Sequence, residues 1–179
     1  MGVILCGGES RRMGRDKGLL EKDGLPWAKH MADKLAAYHL PVVFSVNTGQ
    51  VNDYTAALPG ARLVVDGVAA GGPLKGLLSV HEQFPDNDLL LLACDMLDMD
   101  TPTIHHLIAA YRKEDHNYYA YAKDGFFEPL CCIYTAAGLI RAHTSPSLQQ
   151  LLHQGKTKSL VMLNNEAFQN YNNGPAGAI

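Results

Sequence analysis

The chain has 179 residues, 47% of them apolar and 18% charged, with a formal net charge of −3 when histidine is neutral. That length is near the size of one domain, and the apolar share is too high for a disordered chain. The mild negative charge argues against a general nucleic-acid surface. No apolar run approaches the roughly 20 residues of a membrane helix, and no leader of the secretory kind precedes the first apolar run. The expectation is one domain over residues 1–179, cytoplasmic, with neither nucleic acid nor membrane as partner. Cys6, Cys94, Cys131 and Cys132 have neither C-x-x-C spacing nor the pattern of a disulfide framework, and read as buried, reduced thiols.

In chain order, Val3 to Cys6 is a short apolar run that stops at Gly7-Gly8 and reads as a buried strand. Pro26 opens a helix with Trp27, Met31, Leu35 and Tyr38 on one face. Pro41 to Val46 is a second strand, ending at Asn47. A short helix spans Val51 to Leu58 and stops at Pro59-Gly60. Arg62 to Val65 is a third strand, ending at Asp66. Gly71-Gly72-Pro73 opens a helix with Leu74, Leu77, Leu78, His81 and Phe84 in one stripe. Asp88 to Cys94 is the most apolar strand and ends at Asp95. Thr101 as N-cap and Pro102 at the first helical position open a helix carrying Ile104, Leu107, Ile108 and Tyr111.

Tyr118 to Ala122 and Leu130 to Tyr134 read as strands joined by a polar link, Lys123 to Glu128. Helical segments follow near Ala136 to His143 and Ser147 to His153, then a last strand at Ser159 to Leu163. The tail from Asn172, rich in Asn and Gly, reads as frayed. Alternating strands and helices, with strands that lack period-two alternation, predict an α/β fold with a mostly parallel sheet covered on both faces.

The segment after the first strand concentrates charge. Arg11, Arg12, Arg15 and Lys17 fall within seven residues of a chain that is otherwise mildly acidic. Gly7, Gly8 and Gly14 let a backbone approach a ligand closely, and backbone N–H groups in such a loop form an anion nest. Arginine offers a planar fork for phosphate oxygens and lysine a compact charge. The Walker A spacing is absent, since Gly8 and Gly14 are six apart and Arg15 follows Gly14. The dinucleotide fingerprint G-x-G-x-x-G is absent as well. A solvated basic turn is the plain alternative.

Asp95 stands at the carboxyl edge of its strand, where open α/β sheets place ligands. There it either caps the next helix or holds a magnesium ion against phosphates, since that ion takes oxygen ligands. Asn47 and Asp66 end neighbouring strands and are either turn residues or contacts to a base or ribose. His105 and His106 are adjacent and point apart on a helix, and His81 reads as a satisfied core residue. None of the eight histidines is assigned a role.

L-C-G-G-E-S-R-R-M-G-R-D-K at 5–17 resembles the signature L-x-G-G-x-S-x-R-M-G-x-D-K of the molybdenum cofactor guanylyltransferases. Those enzymes belong to the nucleotidyltransferases with a Rossmann-like, three-layer α/β/α fold of the glycosyltransferase-A, or nucleotide-diphospho-sugar transferase, type. A weaker likeness continues in G-G-P-L-K-G at 71–76, C-D-M at 94–96 and F-Q-N-Y-N at 168–172. The resemblance implies transfer of GMP from GTP to the terminal phosphate of molybdenum-bound molybdopterin, with magnesium as cofactor and pyrophosphate as product. It implies catalytic roles for Arg12, Lys17 and Asp95. It further implies GTP contacts at Leu5, Cys6, Gly7, Gly8, Lys17, Asn47, Asp66 and Asp95, and metal contacts at Asp95 and Asn172.

The Gly7-Gly8 form leans toward guanine, since cytidylyltransferases acting on the same cofactor resemble A-A-G there. Proteins that deliver the cofactor or accept the product are further expected partners. Lys156 and Lys158 are either contacts to the pterin phosphate or a solvated basic turn. The chain departs from the family at Cys6, where alanine is usual, and at Leu97, where proline is usual. It departs again after Asn172, where N-G-P-A-G replaces T-P-E-x-L. Cytidylyl transfer, nucleotidyl transfer to a sugar phosphate, and a non-catalytic GTP-binding module are the competing readings.

Overall fold

A computed structural model describes residues 1–7 and 16–171. The first strand, β1 (Gly2–Leu5), is followed by a small hairpin of β2 (Glu21–Lys22) and β3 (Leu25–Pro26), then α1 (Trp27–Ala36) and β4 (Val42–Val46). Next come α2 (Val51–Ala57), β5 (Arg62–Val65), α3 (Gly72–Gln83), β6 (Leu89–Ala93) and α4 (Thr101–Lys113). The chain continues through β7 (Tyr118–Lys123), β8 (Phe126–Tyr134), α5 (Ala136–Leu139), α6 (Leu148–Gln154) and β9 (Thr157–Val161).

The large sheet has seven strands in the order β5-β4-β1-β6-β8-β7-β9. β5, β4, β1 and β6 run parallel to one another. β8 is antiparallel to both its neighbours, and β9 runs parallel to β7. This is the mostly parallel α/β sheet that the strand–helix alternation predicts.

Both faces of the sheet are covered, which explains why the central strands are apolar throughout. In β6, Leu90 and Leu92 face one core and Leu89 and Leu91 the other. In β1, Ile4 faces the first core while Val3 and Leu5 face the second. The first core is closed by Met31 and Leu35 of α1, Tyr54 of α2 and Ile104 and Leu107 of α4. The second is closed by Leu74, Leu77 and Leu78 of α3, Leu139 of α5 and Leu151 and Leu152 of α6. The result is three layers, helices–sheet–helices.

The structure corrects several local expectations. Pro26 ends β3 and is the N-cap of α1 rather than its first residue. The link between β7 and β8 is a tight hairpin. Asp124 (φ 51°) and Gly125 (φ 83°) form its turn, and Asp23 (φ 53°) and Gly24 (φ 76°) turn the small hairpin the same way. Asp-Gly is the pair that accepts two successive positive φ angles, so that dipeptide was the signal. β8 therefore begins at Phe126, not Leu130.

Pro129 sits inside β8, where pairing with β7 shifts between Ala120 and Ala122, and an irregularity is the place where a strand tolerates a missing N–H. The N-cap of α4 is Asp100, whose carboxylate accepts the N–H of Thr103 at 2.8 Å, and not Thr101. The helix after β8 stops at Leu139, and β9 lies two residues earlier than expected, at Thr157–Val161.

Candidate active site at the carboxyl ends of the parallel strands

Four parallel strands end at one edge. β1 leads into Cys6 and Gly7, β4 into Asn47, β5 into Asp66 and β6 into Cys94 and Asp95. The register makes this convergence: Leu5 pairs with Ser45 and with Ala93, and Val46 with Val65. The structure thus brings Gly7, Asn47, Asp66 and Asp95 together as expected. Arg12 and Gly8, with the other residues of 8–15, and Asn172 lie outside the described residues.

Lys17 lies in a short turn at Lys17–Leu19, and its Nζ donates to Asp95 Oδ2 at 3.2 Å. Their side chains are 23% and 16% exposed, so the pair is partly screened from water yet open at the edge. A cation against a carboxylate at a strand end is suited to receive phosphate and a metal on the same spot.

Asp66 is fastened from behind. Its Oδ1 accepts a hydrogen bond from Ser45 Oγ at 2.6 Å. Burial pushes its carboxyl up, and the Ser45 hydroxyl and the charge of Lys75 pull the other way. Two glycines make room for it. A Cβ on Gly7 would lie 2.4 Å from Asp66 Oδ2, and one on Gly76 would lie 2.4 Å from Ser45 Oγ and 3.3 Å from Asp66 Oδ1. Either would force a neighbour to shift. The segment G-G-P-L-K-G thus supplies Lys75 as a charge and Gly76 as a gap. Ser79 of the same helix accepts the N–H groups of Gly67 and Val68 at 2.9 and 3.2 Å, holding the loop that follows Asp66.

Other expected contacts are changed in detail. The Leu5 side chain is in the core, so only its backbone faces the edge. The N–H of Gly7 donates to Ser45 O at 3.1 Å and is already committed. Asn47 Oδ1 accepts the Gln50 N–H at 3.2 Å in a capping box, so that oxygen serves the turn.

Lys158 donates to both carboxylate oxygens of Glu114 at 2.7 and 2.8 Å and holds that carboxyl below the usual range. Lys158 thus stands in β9 in an ion pair and not in the solvated basic turn posed as the alternative. Asp98 accepts the hydroxyl of Tyr171, and Asp100 accepts Asn164 Nδ2 at 3.0 Å. The backbone N–H of Tyr171 donates to Asp95 O at 3.1 Å, and its ring meets Trp27 edge-on at 6.3 Å. The chain around F-Q-N-Y therefore docks at the β6 end. His81 is buried on α3, but its Nδ1 has no hydrogen-bond partner, which corrects the expectation of a satisfied core histidine.

Asp16, Gln50 and Tyr54 were not singled out from the sequence. Asp16 Oδ1 accepts the Gly18 N–H at 2.9 Å and the Tyr54 hydroxyl at 2.9 Å, and its Oδ2 accepts Gln50 Nε2. The N-x-x-Q spacing of a capping box was the only local sign of Gln50. The four cysteines are buried and free, as expected. Among the described residues no group of three or more His, Cys, Asp or Glu is placed to hold a metal, and no helix is long and apolar enough to cross a membrane.

Residues 2–167 match the family described as the MobA-like NTP transferase domain. The chain is 34% identical over 139 residues to a molybdenum cofactor biosynthesis bifunctional protein of Synechocystis sp., covering 77% of this chain and 40% of that protein's length. It is 30% identical to a molybdenum cofactor guanylyltransferase of Pasteurella multocida, covering 96% of this chain and 93% of that protein. The crystal structure of molybdopterin-guanine dinucleotide biosynthesis protein A from Archaeoglobus fulgidus matches with a TM-score of 0.73 at 18% identity, covering 90% of this chain and 83% of that one. At that identity the structural match speaks for the fold alone, and it agrees with the nucleotidyltransferase fold type that the sequence resemblance implies.

Proposed function

The chain belongs to the MobA-like NTP transferase domain family, and from that premise we propose that it is a molybdenum cofactor guanylyltransferase. It transfers GMP from GTP to the terminal phosphate of molybdenum-bound molybdopterin and releases pyrophosphate. The observation that carries this reading is the Lys17–Asp95 pair at 3.2 Å, set at the β6 end beside the Gly7 and Asp66 strand ends.

The chemistry asks little of proton transfer. The acceptor is a phosphate monoester whose second pKa is near about 6, so it is largely ionised at neutral pH and needs no general base to attack the α-phosphorus. The task is to bring two anions together and to stabilise an anionic leaving group. Lys17 places an ammonium at the phosphates. Asp66, held by Ser45, offers its second oxygen as an acceptor for guanine N–H groups. Arg12 adds a guanidinium for phosphate oxygens.

The donor set fits magnesium: one hard carboxylate, Asp95, with phosphate oxygens of the substrate completing the shell. Asp95 would hold the ion, with Asn172 as a second contact. The ion supplies Lewis-acid stabilisation of the charge that develops on the phosphates.

The test is a pyrophosphate-release assay with molybdenum-bound molybdopterin as acceptor, run with GTP and with CTP, with magnesium and with EDTA. Magnesium-dependent turnover with GTP is expected. Preference for CTP overturns the guanine reading, a sugar phosphate as better acceptor overturns the acceptor, undiminished turnover in EDTA overturns the metal, and tight GTP binding without turnover favours a binding module.

A further inference from the structure

Cys6 follows β1, Asp16 precedes the turn that carries Lys17, and one side chain touches both residues. Gln50 Nε2 donates to Cys6 O at 3.0 Å and also to Asp16 Oδ2. The orientation of the amide is set by its other atom, because Gln50 Oε1 accepts the backbone N–H of Asn47 at 2.7 Å. Gln50 itself is held by the Asn47 capping box at the end of β4. The amide therefore ties three chain segments that are far apart in sequence.

Asp16 passes the constraint on. Its Oδ1 accepts the N–H of Gly18 as N-cap of the turn that carries Lys17, and it accepts the hydroxyl of fully buried Tyr54. Lys17 in turn reaches Asp95.

We infer that Gln50 is a positioning residue that clasps the two ends of the phosphate loop and, through Asp16, sets Lys17 against Asp95 for the triphosphate. This rests on the nucleotidyltransferase reading above for what the loop binds, while the clasp itself rests on the geometry. Gln50 touches no reacting atom, and its effect is on where the loop ends and Lys17 stand. A neutral amide suits the place, because it presents N–H groups to a carbonyl and a carboxylate while accepting from a backbone N–H.

Gln50→Glu keeps the shape and tests the donor. The carboxyl that this substitution introduces would, when ionised, face the Asp16 carboxylate and the Cys6 carbonyl. When protonated, it donates one O–H to Asp16 in place of the amide. The other groups around the pair are Tyr54 and Cys6, both pushed well up by burial and so neutral throughout, together with Cys94 and the Lys17 ammonium. The introduced carboxyl, facing a like charge, then takes up its proton above the ordinary carboxylate value of about 4.3. A pKa raised in the folded state contributes stability at low pH and loses it as pH rises through the raised value.

The experiment compares wild type, Gln50→Glu and Gln50→Ala by thermal unfolding and by equilibrium binding of magnesium–GTP. It is run at about pH 5.5 and about pH 8, where the introduced carboxyl gains and loses its proton. Wild type at the same pH corrects for ionisation of the nucleotide. The clasp predicts that Gln50→Glu binds about tenfold more weakly than wild type at the higher pH and recovers at the lower, while Gln50→Ala is weak at both.

A Gln50→Glu melting temperature that tracks wild type across pH overturns the contact. Weakened stability with unchanged nucleotide affinity overturns the positioning role and leaves only a structural one. Wild type that binds GTP but transfers no GMP strikes the function proposed above and leaves the clasp standing.

Discussion

The two halves of the sheet are built on different principles. The parallel half, β5-β4-β1-β6, has aliphatic strands whose carboxyl ends carry the polar residues of the site. The mixed half, β8-β7-β9, is built on tyrosines that reach back to the main chain. Tyr118 donates to Gly138 O at 2.6 Å, Tyr121 to Thr103 O at 2.8 Å and Tyr134 to Pro129 O at 2.9 Å. Rings on neighbouring strands meet edge-on, as Tyr118 and Tyr134 do at 5.6 Å. A parallel strand buried on both sides needs only apolar bulk and leaves chemistry to its end. Of these acceptors Pro129 lies beside the irregularity in β8, while Gly138 and Thr103 lie in the helices α5 and α4 that cover the sheet, so tyrosine supplies both a ring for the core and a donor to the neighbouring element. The comparison predicts that substitutions at the parallel edge change rate, whereas those in the mixed half change stability.

The largest expected effect is at Asp95. Asp95→Ala should lower guanylyl transfer by about 10³-fold, the scale of losing an electrostatic group at the reacting phosphates, with circular dichroism and melting temperature little changed. Unchanged turnover removes Asp95 from the metal site.

Next is the mixed half. Tyr134→Phe leaves the Pro129 carbonyl without its donor inside the protein and should cost about 1–3 kcal/mol in urea unfolding, with transfer by the folded enzyme unaltered. A fall in rate without a fall in stability would erase the distinction between the halves.

Third is Asp100, at the junction between the halves. Its burial opposes ionisation, but hydrogen bonds from Thr103 and Asn164 outweigh it and hold the carboxyl below the usual range. A pKa lowered by folding contributes stability above the unfolded value, about 3.9, that is lost as pH falls through the folded one. Asp100→Ala should cost about 1 kcal/mol at neutral pH through loss of the N-cap, and its deficit should shrink on acidification. A deficit independent of pH would assign the effect to packing alone.

The smallest effect is expected at Lys158. Its pairing with Glu114 lies at the surface, so Lys158→Met should change stability by no more than about 0.5 kcal/mol and leave the KM for the pterin substrate as it was. A raised KM would return Lys158 to the acceptor side of the site.

Much of the parallel half was legible in the sequence, because its signals are local. An apolar run ending in a polar residue marks both a strand and its carboxyl edge, and Asn47, Asp66 and Asp95 all stand where that rule puts them. The long glycine-arginine motif pointed to the loop and to Lys17. The mixed half was less legible for the same reason. The hydroxyl of Tyr121 finds its partner 18 residues away, and Asn164 reaches Asp100 across 64. Periodicity carries no trace of either. Gln50 escaped notice because two of its three contacts, to Cys6 and Asp16, cross 44 and 34 residues. The Asp-Gly turns were readable, and the composition of the polar segment at 123–128 hid one of them.

β1 holds a further consequence, one of time. Among the strands of this sheet it comes first in chain order, yet it belongs in the middle, between β4 and β6. Gly2 pairs with Val42 and with Leu90, so both edges of β1 wait for chain that is synthesised much later. Long-range parallel pairing of this kind is slow, since loop closure precedes any gain from contact. During synthesis, Val3, Ile4 and Leu5 gain a partner on one edge when β4 has emerged, and the other edge stays open until β6 has emerged. Slowed elongation before residue 89 should prolong that exposure and raise aggregation of the nascent chain.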